Sequence, residues 1–79
     1  MAMTVEMANR LYRQVGTGTT VVLYLPEGHI LKGKLSGHSC EEDDNVFELA
    51  AAYGSWRLEG KSYIRQSDIV AYTIVPKEA

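Results

Sequence analysis

Apolar residues recur at two different intervals along the chain, and the interval changes at the Gly16-Thr17-Gly18 elbow. Before this elbow, Met7, Leu11 and Val15 are spaced four residues apart, which is the repeat of an amphipathic helix. After it, the chain consists of short runs rich in β-branched and aromatic residues, several of which alternate between apolar and polar positions, as strands do. The pattern therefore predicts one helix over residues 4–15, followed only by strands.

The predicted helix has start and stop signals. Thr4 is a suitable N-cap, and Glu6 lies in the first turn, where a negative charge interacts favourably with the helix dipole. Gly16 is placed to end the helix in the left-handed conformation. Because one face of this short helix is apolar, it is expected to pack against the rest of the domain.

Five strands are predicted, at about residues 19–25, 29–39, 45–52, 56–65 and 69–75. Turn residues at Pro26-Glu27-Gly28 and Gln66-Ser67-Asp68 separate the first and last pairs, and an acidic loop is expected from Glu41 to Asn45. Gly33 and Gly37, inside the second strand, indicate sharp bending. The prediction is a single domain over residues 1–79, mainly β, built as a five-stranded, strongly bent antiparallel barrel with a short N-terminal α-helix.

The fifth predicted strand is apolar on both faces, with Thr73 as its only polar residue. Soluble proteins avoid a flat apolar strand at an exposed sheet edge. Small domains also tend to need a disulfide, a metal or partner subunits for stability, and a chain whose only cysteine is Cys40 cannot form an internal disulfide. A second subunit is therefore expected to cover this strand.

Two segments resemble the Sm-like family, which includes the LSm and Hfq proteins and has an SH3-like barrel. The first is Val21-Val22-Leu23-Tyr24-Leu25-Pro26-Glu27-Gly28, continuing into Lys32-Gly33-Lys34-Leu35-Ser36-Gly37. The second is Ile64-Arg65-Gln66-Ser67-Asp68-Ile69-Val70, which is similar to the family's turn between its last two strands. The resemblance covers residues 4–75.

The resemblance implies a hexameric or heptameric ring in which the fourth strand of one subunit pairs with the fifth strand of the next. The expected interface residues are Tyr63, Ile64, Ile69, Val70, Tyr72 and Ile74. It also implies binding of single-stranded RNA near the pore, with His38, Asn45 and Arg65 as the expected contacts. The chain departs from the RNA-binding pattern at Gln66, where the family usually has glycine, and at Ser39 or Cys40, where it has aspartate.

The charge of the chain favours an alternative function. Eight basic and ten acidic residues give a net charge of −2, whereas nucleic-acid-binding domains are usually basic. The alternative is a protein-interaction or scaffold ring, an SH3-like adaptor that binds no nucleic acid. The basic face that Lys32, Lys34, Arg57 and Lys61 would form is interrupted by Glu59.

Other classes of function have little support in the sequence. His29, His38 and Cys40 do not have the spacing of a zinc site, so no metal or other cofactor is expected. No nucleophile, base and oxyanion-binding group can be assembled, so the protein is not expected to be an enzyme. No apolar run approaches the ~20 residues of a membrane-spanning helix, and residues 1–6 lack the features of a secretory signal, which favours a cytoplasmic location.

Overall fold

The computed structural model describes residues 4–54 and 60–76, with the backbone alone for residues 51–54. These residues form one helix and five strands. In chain order the elements are α1 (Val5–Tyr12), β1 (Thr20–Tyr24), a one-turn 3₁₀ segment (Pro26–Gly28), β2 (Ile30–Glu41), β3 (Asp44–Gly54), β4 (Lys61–Arg65), a second 3₁₀ segment (Gln66–Asp68) and β5 (Ala71–Ile74). All five predicted strands are present within a few residues of their expected bounds; residues 56–59 of the fourth lie outside the described residues.

Helix α1 begins as predicted and ends earlier than predicted. The Thr4 side chain accepts a hydrogen bond from the Met7 backbone N–H at 3.1 Å, which caps the helix. After Tyr12 the backbone forms tighter i→i+3 hydrogen bonds, so the α-helix stops there and not at Val15. Gly16 has a φ of 77°, in the left-handed region that was expected of it.

The predicted acidic loop between the second and third strands is instead a tight hairpin. The strands extend to Glu41 and Asp44, which pair with each other, and only Glu42 and Asp43 remain as the turn. Their φ angles are 50° and 63°, as a two-residue type I′ turn requires. The prediction was wrong because that turn is usually Asn-Gly, and acidic residues give no signal for it.

The strands form one antiparallel sheet in the order β4-β3-β2-β1-β5. Strands β4 and β5 are therefore its two edges, and among the described residues the sheet does not close into a barrel. It is nevertheless strongly bent. Across a flat sheet its edges would lie about 19 Å apart, four gaps of ~4.8 Å. The link from Arg65 to Ala71 contains a 3₁₀ turn, which rises only about 2 Å per residue, whereas an extended residue rises about 3.3 Å. The link therefore spans roughly 16 Å, which is less than the width of a flat sheet, so the sheet must bend to bring its two edges closer together.

Two register shifts in β2 contribute to the bend. Pairing with β3 is irregular between Lys32 and Lys34 and again between Leu35 and Gly37. Each shift adds local twist at or beside one of the glycines that predicted bending. At Gly37, an added Cβ would lie 3.1 Å from a carboxylate oxygen of Glu48, so a larger residue would press on that side chain.

The concave side of the sheet and the apolar face of α1 enclose the core. Its buried members are Leu11, Val21, Leu23, Leu31, Leu35, Phe47, Leu49, Ile64 and Ile69. Met7, Ala8 and Val15 of the helical segment pack against this cluster, and so do Tyr72 and Ile74 of β5. The Tyr72 hydroxyl donates a 2.6 Å hydrogen bond to the Met7 carbonyl oxygen, which ties the helix to the edge strand.

Candidate nucleic-acid interface

A small cleft lies where α1, the β2–β3 hairpin and the β4–β5 turn meet, and we call it the seam cleft. Its volume is about 240 Å³, and its lining residues are Ala8, Asn9, Tyr12, His38, Asn45, Phe47 and Gln66. Pockets for drug-sized ligands are usually about 300–1,000 Å³, so the seam cleft suits a smaller group such as one ring system. It contains two of the three residues that were predicted to contact RNA, His38 and Asn45.

Three aromatic rings form one wall of the seam cleft. Because His38 pairs with Phe47 across β2 and β3, their side chains lie on the same face, with ring centroids 5.1 Å apart. The Tyr12 ring meets the His38 ring edge-on, at 4.7 Å and 83°. Phe47 is buried, whereas Tyr12 is 52% exposed. The wall therefore has a fixed base in the core and an outer ring available for stacking.

A pair of amides forms the opposite wall. The Asn45 side-chain nitrogen donates to the Gln66 side-chain oxygen at 2.7 Å, in a half-buried environment. One residue further along each segment, the Ser67 hydroxyl donates to the Asp44 carboxylate at 2.6 Å. These two hydrogen bonds hold the β4–β5 turn against the hairpin. The amides thus have fixed positions and retain donors and acceptors that can serve a polar ligand.

Arg65, the third predicted contact, lies outside the seam cleft. Its side chain is exposed and forms an ion pair with Asp68, with the two atoms 3.4 Å apart. It lines a more open, mostly apolar depression of about 720 Å³ between the β1–β2 turn and β4. Although Arg65 is next to Gln66 in the chain and pairs with Val46 in the sheet, the fold does not bring it to the same surface as His38.

A groove with two arginines adjoins the seam cleft along the outer face of α1. This arginine groove is lined by Val5, Glu6, Asn9, Arg10 and Arg13. Asn9 borders both depressions, so the two are neighbours. Arg10 forms a 2.8 Å ion pair with Glu6, whereas Arg13 has no ion pair within residues 4–54 and 60–76. A cation that can contact an anionic ligand therefore lies beside the aromatic wall.

Tyr12, Asn9 and Gln66 are site residues that the sequence did not identify as such. Tyr12 follows Leu11 in the predicted helix, at the border of its apolar face, and Gln66 was noted only as a departure from a family pattern. The signal for Tyr12 was its location beside that face, where a helical residue can be both anchored and exposed. Nothing in the sequence indicated that Gln66 contacts Asn45, because that contact depends on how the turn folds onto the hairpin.

The other face of the sheet carries a carboxylate with several partners. Glu48 accepts a 2.7 Å hydrogen bond from the Ser36 hydroxyl and lies 3.6 Å from the Lys61 ammonium. The hydrogen bond from Ser36, with smaller contributions from Tyr63 and Lys61, lowers the pKa of Glu48 below its usual 4.5, against the opposing effect of burial. Lys61 is thus partly neutralised, which weakens the basic face expected around it.

The residues predicted to form a subunit interface differ in their accessibility. Ile64 and Ile69 are 7% and 0% exposed, inside the chain's own core. Tyr72 and Ile74 are half-buried against that core. Tyr63 and Val70 are 67% and 50% exposed, on or next to the two edge strands. Of the six, these two side chains are the most available to another chain.

Within the described part of the chain, no three His, Cys, Asp or Glu side chains are grouped so that they could hold a metal ion. Cys40 is an exposed free thiol. Of the helical residues that the structure describes, none belongs to a helix long and apolar enough to cross a membrane.

Neither a scan against models of known protein families nor a search of curated proteins finds a match to this chain. The chemistry of the seam cleft and of the sheet edges is therefore the basis for assigning a function.

Proposed function

We propose that this protein binds single-stranded RNA, with a base in the seam cleft and the adjoining phosphates along the arginine groove. The observation that carries this proposal is the juxtaposition of an exposed ring, Tyr12, a pair of fixed amides, Asn45 and Gln66, and a cation, Arg13, that has no ion pair among the described residues. Single-stranded nucleic acid is bound by this combination of ring stacking and backbone neutralisation. The local cation also explains how an acidic chain can bind a polyanion.

We propose further that binding is done by a ring of Sm-like subunits. In the part of the chain that the structure describes, β4 and β5 are the two edges of the antiparallel sheet, and the exposed Tyr63 and Val70 lie on or next to them. An edge that remains unpaired in water invites pairing with another chain. If β4 of one subunit pairs with β5 of the next, both edges are satisfied, and six or seven subunits complete the expected ring.

Fluorescence anisotropy with short oligo-U and oligo-A at low salt tests the RNA proposal. Micromolar binding to at least one of the two is expected. Tyr12→Ala should weaken binding by about 1–3 kcal/mol, or roughly five- to 150-fold, because it removes the stacking ring. Tyr12→Phe is the matched control, since it keeps the ring and should bind like the natural protein. Absence of micromolar binding to both oligomers would contradict the proposal.

The arginine groove has a separate signature in the salt dependence. Arg13→Ala should weaken oligo-U and oligo-A binding alike and reduce the slope of log affinity against log salt by about 0.7, because one phosphate contact is lost. Arg65→Ala removes an arginine that is already paired with Asp68 outside the seam cleft, so its effect should be smaller. An equal effect of the two changes would indicate non-specific attraction.

The second candidate is a protein-interaction ring that binds no nucleic acid. It is favoured by the acidic hairpin tip, where Glu41, Glu42 and Asp43 are all exposed and would repel phosphate. It predicts that Arg65→Ala leaves function intact, whereas loss of assembly abolishes function. Because Tyr72 and Ile74 also support the core, Val70→Asp is the cleaner change for breaking assembly. Light scattering behind a sizing column would measure its effect on mass.

A further inference from the structure

Gln66 occupies an unusual position in the seam cleft, because its side chain lies on the lining and is already bonded to another lining residue. The bond from Asn45 to Gln66 is 2.7 Å long and half-buried. No buried side-chain polar atom within the described residues lacks a partner. One Asn45 donor and the Gln66 oxygen are therefore already bonded to each other before any ligand arrives, and a ligand must either add to this bond or replace it.

The bond to Gln66 reduces the number of hydrogen-bonding groups that Asn45 can offer to a ligand. An asparagine amide has two N–H donors and one oxygen acceptor, and Gln66 uses one of the donors. A base that approaches Asn45 edge-on gains most when it can pair with both the nitrogen and the oxygen of the amide. While Asn45 is bonded to Gln66, a base can pair only with the second N–H and the oxygen of the Asn45 amide. The Gln66 side chain also occupies part of the seam cleft.

The turn that carries Gln66 is held in place independently of this bond. The Ser67 hydroxyl is bonded to Asp44 at 2.6 Å, the Ile69 N–H is bonded to the Gln66 carbonyl at 3.0 Å, and the Ile69 side chain is fully buried. The Gln66 side chain can therefore leave Asn45 without unfolding the turn. The backbone of the turn therefore keeps its position whether or not the hydrogen bond between the Asn45 and Gln66 side chains is formed.

We propose that Gln66 is an internal competitor that sets the affinity of the seam cleft by occupying the Asn45 amide. The proposal rests on the RNA-binding function of the cleft and adds the residue that limits it. Removing the Gln66 amide should free Asn45 for the base and raise affinity about five- to tenfold, the worth of one neutral hydrogen bond.

Two variants distinguish the effect of removing the competing amide from the effect of enlarging the cleft. Gln66→Met removes the amide and keeps nearly the same length, whereas Gln66→Ala also opens the cleft. Both should bind fluorescent oligo-U more tightly than the natural protein, measured by anisotropy at low salt. In an Asn45→Ala background neither change should increase affinity, because the group competed for is gone. Thermal unfolding followed by circular dichroism verifies that each variant is folded.

Ser67→Ala is the matched control, because it loosens the same turn through a residue that does not line the seam cleft. Its affinity should stay within twofold of the natural protein. Equal tightening by this control would show that turn loosening is the cause, and would overturn the proposal. Unchanged or weaker binding by both Gln66 variants would also overturn it, since Gln66 would then be neutral or a ligand contact.

The experiment distinguishes failure of this inference from failure of the proposed function. If the natural protein binds oligo-U and both Gln66 variants bind it more weakly, RNA binding stands and competition is wrong. If the natural protein does not bind but the Gln66→Met variant does, competition stands and the natural protein has lost the activity. If none of the three proteins binds, both proposals are wrong.

Discussion

The hydrogen bond from Tyr72 to Met7 gives the most direct stability prediction, for the change Tyr72→Phe. The bond is 2.6 Å long and half-buried, and it joins the last strand to the first helix. Removing the hydroxyl loses one net hydrogen bond, which is worth about 1 kcal/mol. For a domain of this size that corresponds to a fall in melting temperature of roughly 4–8 °C. The ring stays in place, so the core itself should be unaffected.

Burial of the Tyr72 hydroxyl makes the stability of the protein depend on pH in the alkaline range. Burial raises the pKa of the Tyr72 hydroxyl above its usual value of 10.0. Because the pKa is higher in the folded state, the protonated donor contributes fully below pH 10.0, and its contribution is lost as pH rises through the raised pKa. The stability difference between the natural protein and the Tyr72→Phe variant should therefore be constant near neutral pH and shrink at alkaline pH.

Urea unfolding at equal protein concentration is the appropriate assay, since assembly adds stability by mass action. Tyr12→Phe is the matched control, because it also removes a tyrosine hydroxyl, from an exposed ring on α1, the helix that Tyr72 contacts. It should change the free energy of unfolding by less than about 0.5 kcal/mol. If Tyr72→Phe is as stable as this control at pH 7, the bond does not hold the helix to the sheet.

Three further predictions concern two turn residues of the backbone and the half-buried carboxylate of Glu48. Asp43→Gly should stabilise the protein by about 0.5–1 kcal/mol, because relief of the positive φ of 63° exceeds the entropy cost of glycine; a lower urea midpoint would contradict this. Gly16→Ala should destabilise it by about 1 kcal/mol, since φ is 77° there and no clash is involved; an unchanged midpoint would show that the backbone adapts. Because the pKa of Glu48 is lowered, its contribution is present above pH 4.5 and is lost as pH falls. Glu48→Gln should therefore flatten the acid limb of the stability–pH curve, and an unaltered limb would mean that Ser36 and Lys61 do not stabilise the carboxylate.

The strands could be predicted from sequence because their signal is local. In β4, the alternation of Lys61, Tyr63 and Arg65 with Ser62 and Ile64 directly reflects one wet and one buried face. The residues at which helices and strands end were harder to predict. Whether the chain after Tyr12 continues as α-helix or tightens into turns depends on where Gly16 must lie, and its N–H is bonded to Leu35, far away in sequence.

The candidate site was predictable only in part, for a related reason. His38 and Asn45 were expected contacts because of the resemblance to the Sm-like family, and the structure places both in the lining of the seam cleft. Their association with Tyr12 and Gln66 depends on contacts between segments that are distant in the chain. Arg65 illustrates the converse: it is next to Gln66 in sequence, yet its side chain lies on a different surface.

The measurement that tests the central claim most directly compares oligo-U with an abasic oligomer of the same length, by anisotropy at low salt. Both carry the same phosphates, but only oligo-U can place a base in the seam cleft against Tyr12. We predict micromolar binding of oligo-U and binding of the abasic oligomer at least about fivefold weaker, the minimum worth of one stacked base. Equal binding of the two, or no binding of either, would contradict the claim that this cleft recognises bases.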